Sequence, residues 1–465
     1  MTIEVEARTP VSVLSTLAFA TLTASLGLSV ASVLLPTLTK DFSATVSDVQ
    51  WVVLAYLISV TVTIVSAGRL GDLFGHRRVL LAGLVIFIAA SVWSAMAPGL
   101  GALIAGRALQ GMGGAILMAL PMSIARDLVP ADRLGTAMGL LGTTSASGTA
   151  LGPSLGGLML AGGDWRWAFW LLAGFAIVTL FLSMTAISVD RQRVRPSLKA
   201  LDAPGTLVLV IALAAYALAT SGTGVGLSFS PVFLMALAAL ATALFVTVEK
   251  RAASPLVPMA LLLNWNTGGG FLMNLSVGAI MMTTLVVGPF FLAFSLGLND
   301  ALIGLVLAVG PFVAALSGVP AGRLTDRLGV RRVMILGLMQ ITAGALCLAF
   351  LPRVLGVSGY VIALISLTPA FQLFLAANNT AVLVHAPREQ RGRLSGLLGL
   401  SRNLGLMTGA SAMSSLFVVF LGRGEVAQAP GADVARAFSM TFTGAAVLAL
   451  MTLGLAIYST GRGQR

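Results

Sequence analysis

Fourteen apolar stretches, each long enough to cross a hydrocarbon core about 30 Å thick, leave this chain little choice of fold. They fall at about 12–36, 50–68, 79–97, 101–122, 135–160, 167–188, 204–221, 229–248, 269–294, 301–321, 332–351, 357–384, 394–421 and 435–459. In lipid no water is available to satisfy a free N–H or C=O, so each stretch must close its hydrogen bonds internally as a helix. Composition points the same way: 57% of the 465 residues are hydrophobic and 9% charged, where a soluble domain carries about 25% charge. The expected fold is therefore an all-α membrane protein with 14 transmembrane helices. Joins as short as Pro98-Gly99-Leu100 make consecutive helices antiparallel neighbours. The first stretch is too long, and too closely followed by others, to read as a cleaved signal.

The net charge of +12 would suggest an acidic partner if it were spread over a soluble surface. With the N-terminus inside, however, 21 of the 28 Lys and Arg residues fall in cytoplasmic segments and 5 on the opposite face. That is the positive-inside bias, and anionic lipid accounts for the basic charge without nucleic acid. The expected placement is the inner membrane, multi-pass, with both termini cytoplasmic. Cys347 is the single cysteine, and His76 and His385 are the two histidines. Disulfides, metal sites and bound cofactors are therefore not expected.

The chain also repeats itself. Gly68-Arg-Leu-Gly-Asp-Leu-Phe-Gly-His-Arg-Arg78 recurs as Gly322-Arg-Leu-Thr-Asp-Arg-Leu-Gly-Val-Arg-Arg332, an offset of 254 residues. A second echo, at 257 residues, pairs Gly148 with Gly405 and Gly152 with Gly409. Two pseudo-symmetric six-helix bundles follow, over residues 1–190 and 251–465, with an inserted helix pair over 191–250. Parallel membrane repeats of this kind place a substrate site between the halves and rock around it. The duplication alone thus points to a transporter, not to an enzyme or a receptor.

Several motifs together resemble the major facilitator superfamily. Gly68-x-Leu70-x-Asp72-x-x-Gly75-x-Arg77-Arg78 is similar to its loop signature, and Arg107-x-x-Gln110-Gly111-x-Gly113 to its fourth-helix motif. Gly148-x-x-x-Gly152-Pro153-x-x-Gly156-Gly157 resembles the fifth-helix motif associated with antiporters. The run Asp164-Trp165-Arg166-Trp167-Ala168-Phe169 and the inserted pair resemble the fourteen-span drug:proton antiporter branch. The resemblance implies export of small amphipathic compounds, alternating access and the proton gradient as energy source. It also implies that the loop signature latches onto the helix opening near Leu394.

Elementary chemistry assigns roles beside that resemblance. Gly68, Asp72, Gly75, Arg77, Arg78 and Asp326 form a gate: the glycines allow a tight turn, and the carboxylates can accept from arginine. Simple topology determination is the plainer role for the arginines. Arg107 sits two turns inside an apolar helix, where an ionisable group marks function by default, and Gln110 lies one turn away on the same face. Arg402 is its second-half analogue, so these three are the coupling candidates, with snorkelling to the interface as the alternative. The glycines around Pro153 read as a gasket of close-packed helices, or as ordinary small-residue packing. Ala410 stands where the second half would need the matching proline.

Other patterns carry no chemistry. Gly152-Pro-Ser-Leu-Gly156 lacks the strand–turn–helix setting of a hydrolase elbow, Asn378-Asn-Thr380 lies inside a span, and no phosphate-cradling loop for ATP occurs. One departure from the family pattern matters more. Drug antiporters of this branch carry an aspartate in helix one, and Gly27 occupies that position here. This favours neutral or anionic substrates and leaves room for a dedicated exporter of one metabolite or organic acid, without proton coupling. For the pocket, Phe290 and Phe294 offer adaptable apolar surface, while Gln372, Asn378 and Asn379 could orient a ligand. Lipid-facing packing and helix–helix hydrogen bonding are the respective alternatives. The expected partners are amphipathic substrates, protons and membrane lipid, acting on a monomer.

Overall fold

The computed structural model describes residues 10–128, 134–187, 203–221, 229–252, 265–384, 388–422 and 426–462. Every regular element among them is helical: α1 (Pro10–Asp41), α2 (Val46–Val49), α3 (Trp51–Phe74), α4 (His76–Ala95), α5 (Leu100–Leu128), α6 (Leu134–Ala161), α7 (Arg166–Ala186), α8 (Ala203–Ser221) and α9 (Pro231–Arg251). After these come α10 (Trp265–Phe294), α11 (Asp300–Leu328), α12 (Val330–Val384), α13 (Arg388–Thr408), α14 (Ser414–Leu421) and α15 (Gly431–Arg462). Helix α12 bends back at Gly356, whose φ of 59° and ψ of −131° are non-helical, leaving arms at 330–355 and 357–384. A π-turn at Gly409–Met413 joins α13 to α14.

Eleven described helices are long and apolar enough to cross a membrane, one of them the whole 53-residue stretch Val330–Val382. Their ends are set by local chemistry. Asn299 caps α11 by accepting from the Leu302 N–H at 2.9 Å, the side-chain oxygen satisfying a donor the helix cannot. Pro231 opens α9, where its missing N–H costs nothing. Gly422 closes α14 in the left-handed conformation.

The two copies of the duplicated loop make one turn twice. Gly75 has φ 95° and ψ 129°, and Gly329 has φ 83° and ψ 149°, a region open in practice only to glycine. Each N–H reaches the carbonyl four residues back, Gly71 or Thr325, at 2.9 and 3.0 Å. Each carbonyl accepts from the helix that follows, through Val79 or Val333. Sequence reading gave Gly68 the same duty, but a Cβ there would meet nothing within 4 Å. The close approach belongs instead to Gly71, where a Cβ would lie 2.6 Å from His76 and 2.7 Å from Leu120.

The helix pairings also recur. In the first part α1 packs on α6, α3 on α5 and α4 on α7. In the second α10 packs on α13, α11 on α12 and α12 on α15. Helices α1 and α10 are central, with 83% of their apolar windows buried, against 22% for α9 and 28% for α11. The outer helices expose Trp93, Phe181, Phe312 and Val354, side chains at home against lipid tails. Helix α8 packs on α9, on α3 and on the π-turn. The Tyr216 and Thr408 hydroxyls are 3.2 Å apart, and Ser415 donates to the Thr220 carbonyl.

Candidate functional site

Arg107 organises the first half. Its side chain is 0% exposed, and its guanidinium reaches three helices. Nε donates to the Val52 carbonyl at 2.9 Å, Nη1 to the Gly27 carbonyl at 2.8 Å, and Nη1 also to Gln110 Oε1. The Tyr56 ring lies 4.3 Å from Cζ, within cation–π range. Gln110 in turn donates to Ser91 at 2.7 Å, and Tyr56 to the Ala24 carbonyl at 2.9 Å. The charge is thus stabilised by dipoles and a ring face, and no ion pair engages it among the described residues. Gly27 is part of this shell: its carbonyl binds the guanidinium, and a Cβ would sit 2.9 Å from Phe87 and 3.3 Å from the Tyr56 hydroxyl. The structure therefore brings Arg107 and Gln110 together. Sequence reading had not included Tyr56, Ser91 and the carbonyls, although a tyrosine inside an apolar run was a usable signal.

Helix α6 presents small residues to two partners. Gly148, Gly152 and Gly156 face α1, meeting Leu22 and Ser25, then Ser29, then Val30 and Val33. Gly157 faces α11. A Cβ there would lie 2.8 Å from the Asp300 carbonyl and 2.8 Å from Gly304 Cα, while one at Gly304 would lie 2.6 Å from the Pro153 carbonyl. The two backbones touch, as small-residue seams allow. Thr37 adds a hydrogen bond to Asp300 at 3.3 Å, and Lys40 lies 5.2 Å from the Phe294 ring centroid. The α6–α11, Thr37 and Lys40 contacts lie toward the end of the bundle that carries Gly163 and Gly297. Pro153 lies within α6 without interrupting it. Gly405 and Gly409 repeat the packing against Leu275 and Ala279 of α10. At the offset of 257, the π-turn Gly409–Met413 falls where the first half has Gly152–Gly156. The second half lacks the proline but interrupts the i→i−4 ladder at the same level, a common feature of functional helices.

The remaining candidates are more dispersed. Phe290 is fully buried, stacked on Phe294 and Phe417 at 6.4 and 6.3 Å, so its ring serves packing in this conformation. Asn378 is buried and donates to the Gly270 carbonyl at 3.2 Å, tying α12 to α10. Asn379 is exposed, and Gln372 is half-buried, its Oε1 facing Gly318 of α11. Asn274, which sequence reading passed over, ties α10 to α13 through the Leu398 carbonyl and Ser401 at 2.8 and 3.0 Å. Arg77 donates to the Met184 carbonyl at 3.0 Å, a cation at a helix C-terminus. Arg78 and Asp326 are exposed. The Asp72 side chain and the side chains of residues 383–393, including the proposed latch partner before Leu394, lie outside the described residues.

Arg402 contrasts with Arg107. Its side chain is exposed, although it stands within the long apolar stretch that continues from α13 into α14. Leu406 and Met413, further along nearly the same face, are buried at 2% and 8% exposure. Exposure on this face of the helix thus falls from Arg402 toward the Gly163 and Gly297 end, where α6 and α11 meet. The Major Facilitator Superfamily model matches residues 17–291 and 270–463.

The chain belongs to the Major Facilitator Superfamily. Its relatives include the riboflavin transporter RibZ of Clostridioides difficile, 26% identical over 84% of each chain. They also include the multidrug resistance protein Stp of Mycobacterium tuberculosis, 27% identical over 84% of this chain and 73% of that one. A crystal structure of the peptide transporter POT shares the fold, with a TM-score of 0.71 and 16% identity over 96% of this chain and 94% of that one. Membership makes the chain a multi-pass membrane transporter, not an enzyme.

Proposed function

We propose that this transporter is a fourteen-span exporter of amphipathic compounds, placed in the inner membrane with both termini cytoplasmic and driven by proton antiport. Counting α12 as its two arms, and adding α6 and the shorter α8 to the eleven candidate spans, gives fourteen crossings. The duplicated loops and recurring pairings support two six-helix bundles with α8 and α9 inserted between them in the chain. The observation that carries an alternating-access reading is the asymmetry between the two ends. Gly157 and Gly304 bring α6 and α11 into backbone contact at one end, whereas Arg402 is exposed nearer the other. Rocking the bundles would separate the glycine seam and cover the exposed Arg402. Arg107 is a buried charge held between α1, α3 and α5, and a buried ionisable group within a membrane span supports a coupling role.

Growth inhibition across a panel of toxic amphiphiles, in a host with and without expression, tests broad export. Tolerance unchanged for every compound would defeat it. In proteoliposomes, substrate flux that ignores an imposed pH gradient would defeat proton antiport. The second reading, a dedicated exporter of one metabolite, is favoured by Gly27. At the position where drug antiporters of the resembled branch hold an aspartate, this chain offers only a carbonyl, already engaged by Arg107. The riboflavin transporter among its relatives fits that narrower reading.

A further inference from the structure

The two intramembrane arginines have opposite surroundings. Arg107 satisfies Nε and Nη1 internally, whereas among the described residues no hydrogen bond or ion pair engages the Arg402 guanidinium. An uncompensated charge at this depth costs at least several kcal/mol on any scale, so it persists only where water or a counter-ion reaches it. Its exposed side chain provides that access. The helix around it is fixed from behind. Ser401 accepts from Asn274, and the Gly278 position meets the Arg402 carbonyl at 3.0 Å, which holds α13 against α10 and leaves the guanidinium on the open side.

Comparison with the other half sharpens the point. Arg402 is not the repeat counterpart of Arg107 expected from the sequence: at the offset of 257 its counterpart is Ser145 of α6, whose hydroxyl lies 2.9 Å from Ser25 of α1. There the position serves packing; here it is an exposed cation. The described acids offer no counter-charge. Asp41, Asp48, Asp164, Glu249, Asp300, Asp326 and Asp433 all lie at or near helix ends. Among the described residues, Arg402 is thus an exposed cation with no acidic partner, about two turns before the π-turn. A guanidinium so placed matches a carboxylate, sulfonate or phosphate through paired N–H donors.

We propose that Arg402 is the anion-recognition group of the cleft, and that the compounds carried have a single anionic group attached to an apolar body. The inference rests on the exporter reading for the direction of transport, not for the chemistry of binding. The test is made at equilibrium, on full-length protein in phosphatidylcholine nanodiscs, so that no lipid anion is present. Three probes with one apolar body are compared: pyrenebutyrate, pyrenebutanol and pyrenebutyl-trimethylammonium. Binding is read by energy transfer from the protein's tryptophans and corrected for empty discs. Wild-type protein should hold the carboxylate at least about tenfold more tightly than the alcohol, the scale of one charge-assisted hydrogen-bonded pair. Arg402→Gln should bring the two within about threefold, and Arg402→Lys should restore part of the preference. A tenfold preference surviving in Arg402→Gln, or tighter binding of the ammonium by wild type, would overturn the proposal. So would loss of pyrenebutyrate binding once phosphatidylglycerol is added, because the site would then belong to a lipid headgroup. A protein that binds pyrenebutyrate in this pattern but transports nothing would refute the export reading alone.

Discussion

Gly157→Ala should shift the transporter away from the conformation described here, by an amount that the seam itself sets. The new methyl would lie 2.8 Å from the Asp300 carbonyl and 2.8 Å from Gly304 Cα, both backbone atoms, whereas ordinary contact begins at 3.4 Å. No side chain can rotate aside, so α6 and α11 must part by about 0.6 Å, the difference between those distances. Overpacking of this kind costs about 1–3 kcal/mol. The penalty falls only on the state in which the two helices touch, so the ratio of the two states should move about fivefold to 150-fold. Double electron–electron resonance can read this with labels at Ala161 and Leu302, both exposed near that end, after the single native cysteine, Cys347, is replaced by serine. A longer distance should gain population in Gly157→Ala and in Gly304→Ala. Gly174→Ala is the control, since a Cβ there meets nothing within 4 Å. Distance distributions in the two seam variants that superimpose on the parent, in protein that remains folded, would refute the reasoning.

Other outcomes follow from the same contacts. Arg107→Ala leaves the Gln110 oxygen without its donor in a buried site, at about 1–3 kcal/mol for that lost partner, and should abolish gradient-driven flux in proteoliposomes. Arg107→Lys keeps the charge but not the fork that spans two carbonyls, so it should remain impaired; full activity in either variant would remove Arg107 from coupling. Gly75→Ala and Gly329→Ala force a side chain into backbone space open only to glycine, costing about 1–3 kcal/mol, and should lower the thermal midpoint in detergent. Gly68→Ala, in open space on the same helix as Gly75, should be neutral or slightly stabilising. Equal damage from Gly68→Ala and Gly75→Ala would contradict the turn geometry.

The site was partly legible in the sequence because some of its features are local. The offset of 254 residues placed two glycines in equivalent turns, and both adopt positive φ. Arg107 and Gln110 are one helical turn apart, so their contact needed only helix periodicity. The pocket was less legible. Phe290 and Phe294 read as free aromatic surface, yet the ring stacked on Phe290 comes from Phe417, more than a hundred residues away. Gly27 read as a missing carboxylate, and only the approach of α5 to α1 shows its carbonyl serving as an acceptor. Gly304 gave no signal at all, because a glycine in an apolar helix acquires meaning only from the backbone opposite.

The amino-acid order alone settles that this chain lives in a membrane and is built of helices, since apolar runs of that length in lipid have one way to satisfy their backbones. It also settles, through its repeats, that two regions turn alike. What the order leaves open is which buried charge is enclosed and which is accessible. Arg107 and Arg402 are the same residue within long apolar stretches of the chain, and the packing of distant helices alone closes a shell of carbonyls around one while leaving the other exposed. Solvation of a charge depends on every group within a few ångströms in space, and sequence distance carries little of that information.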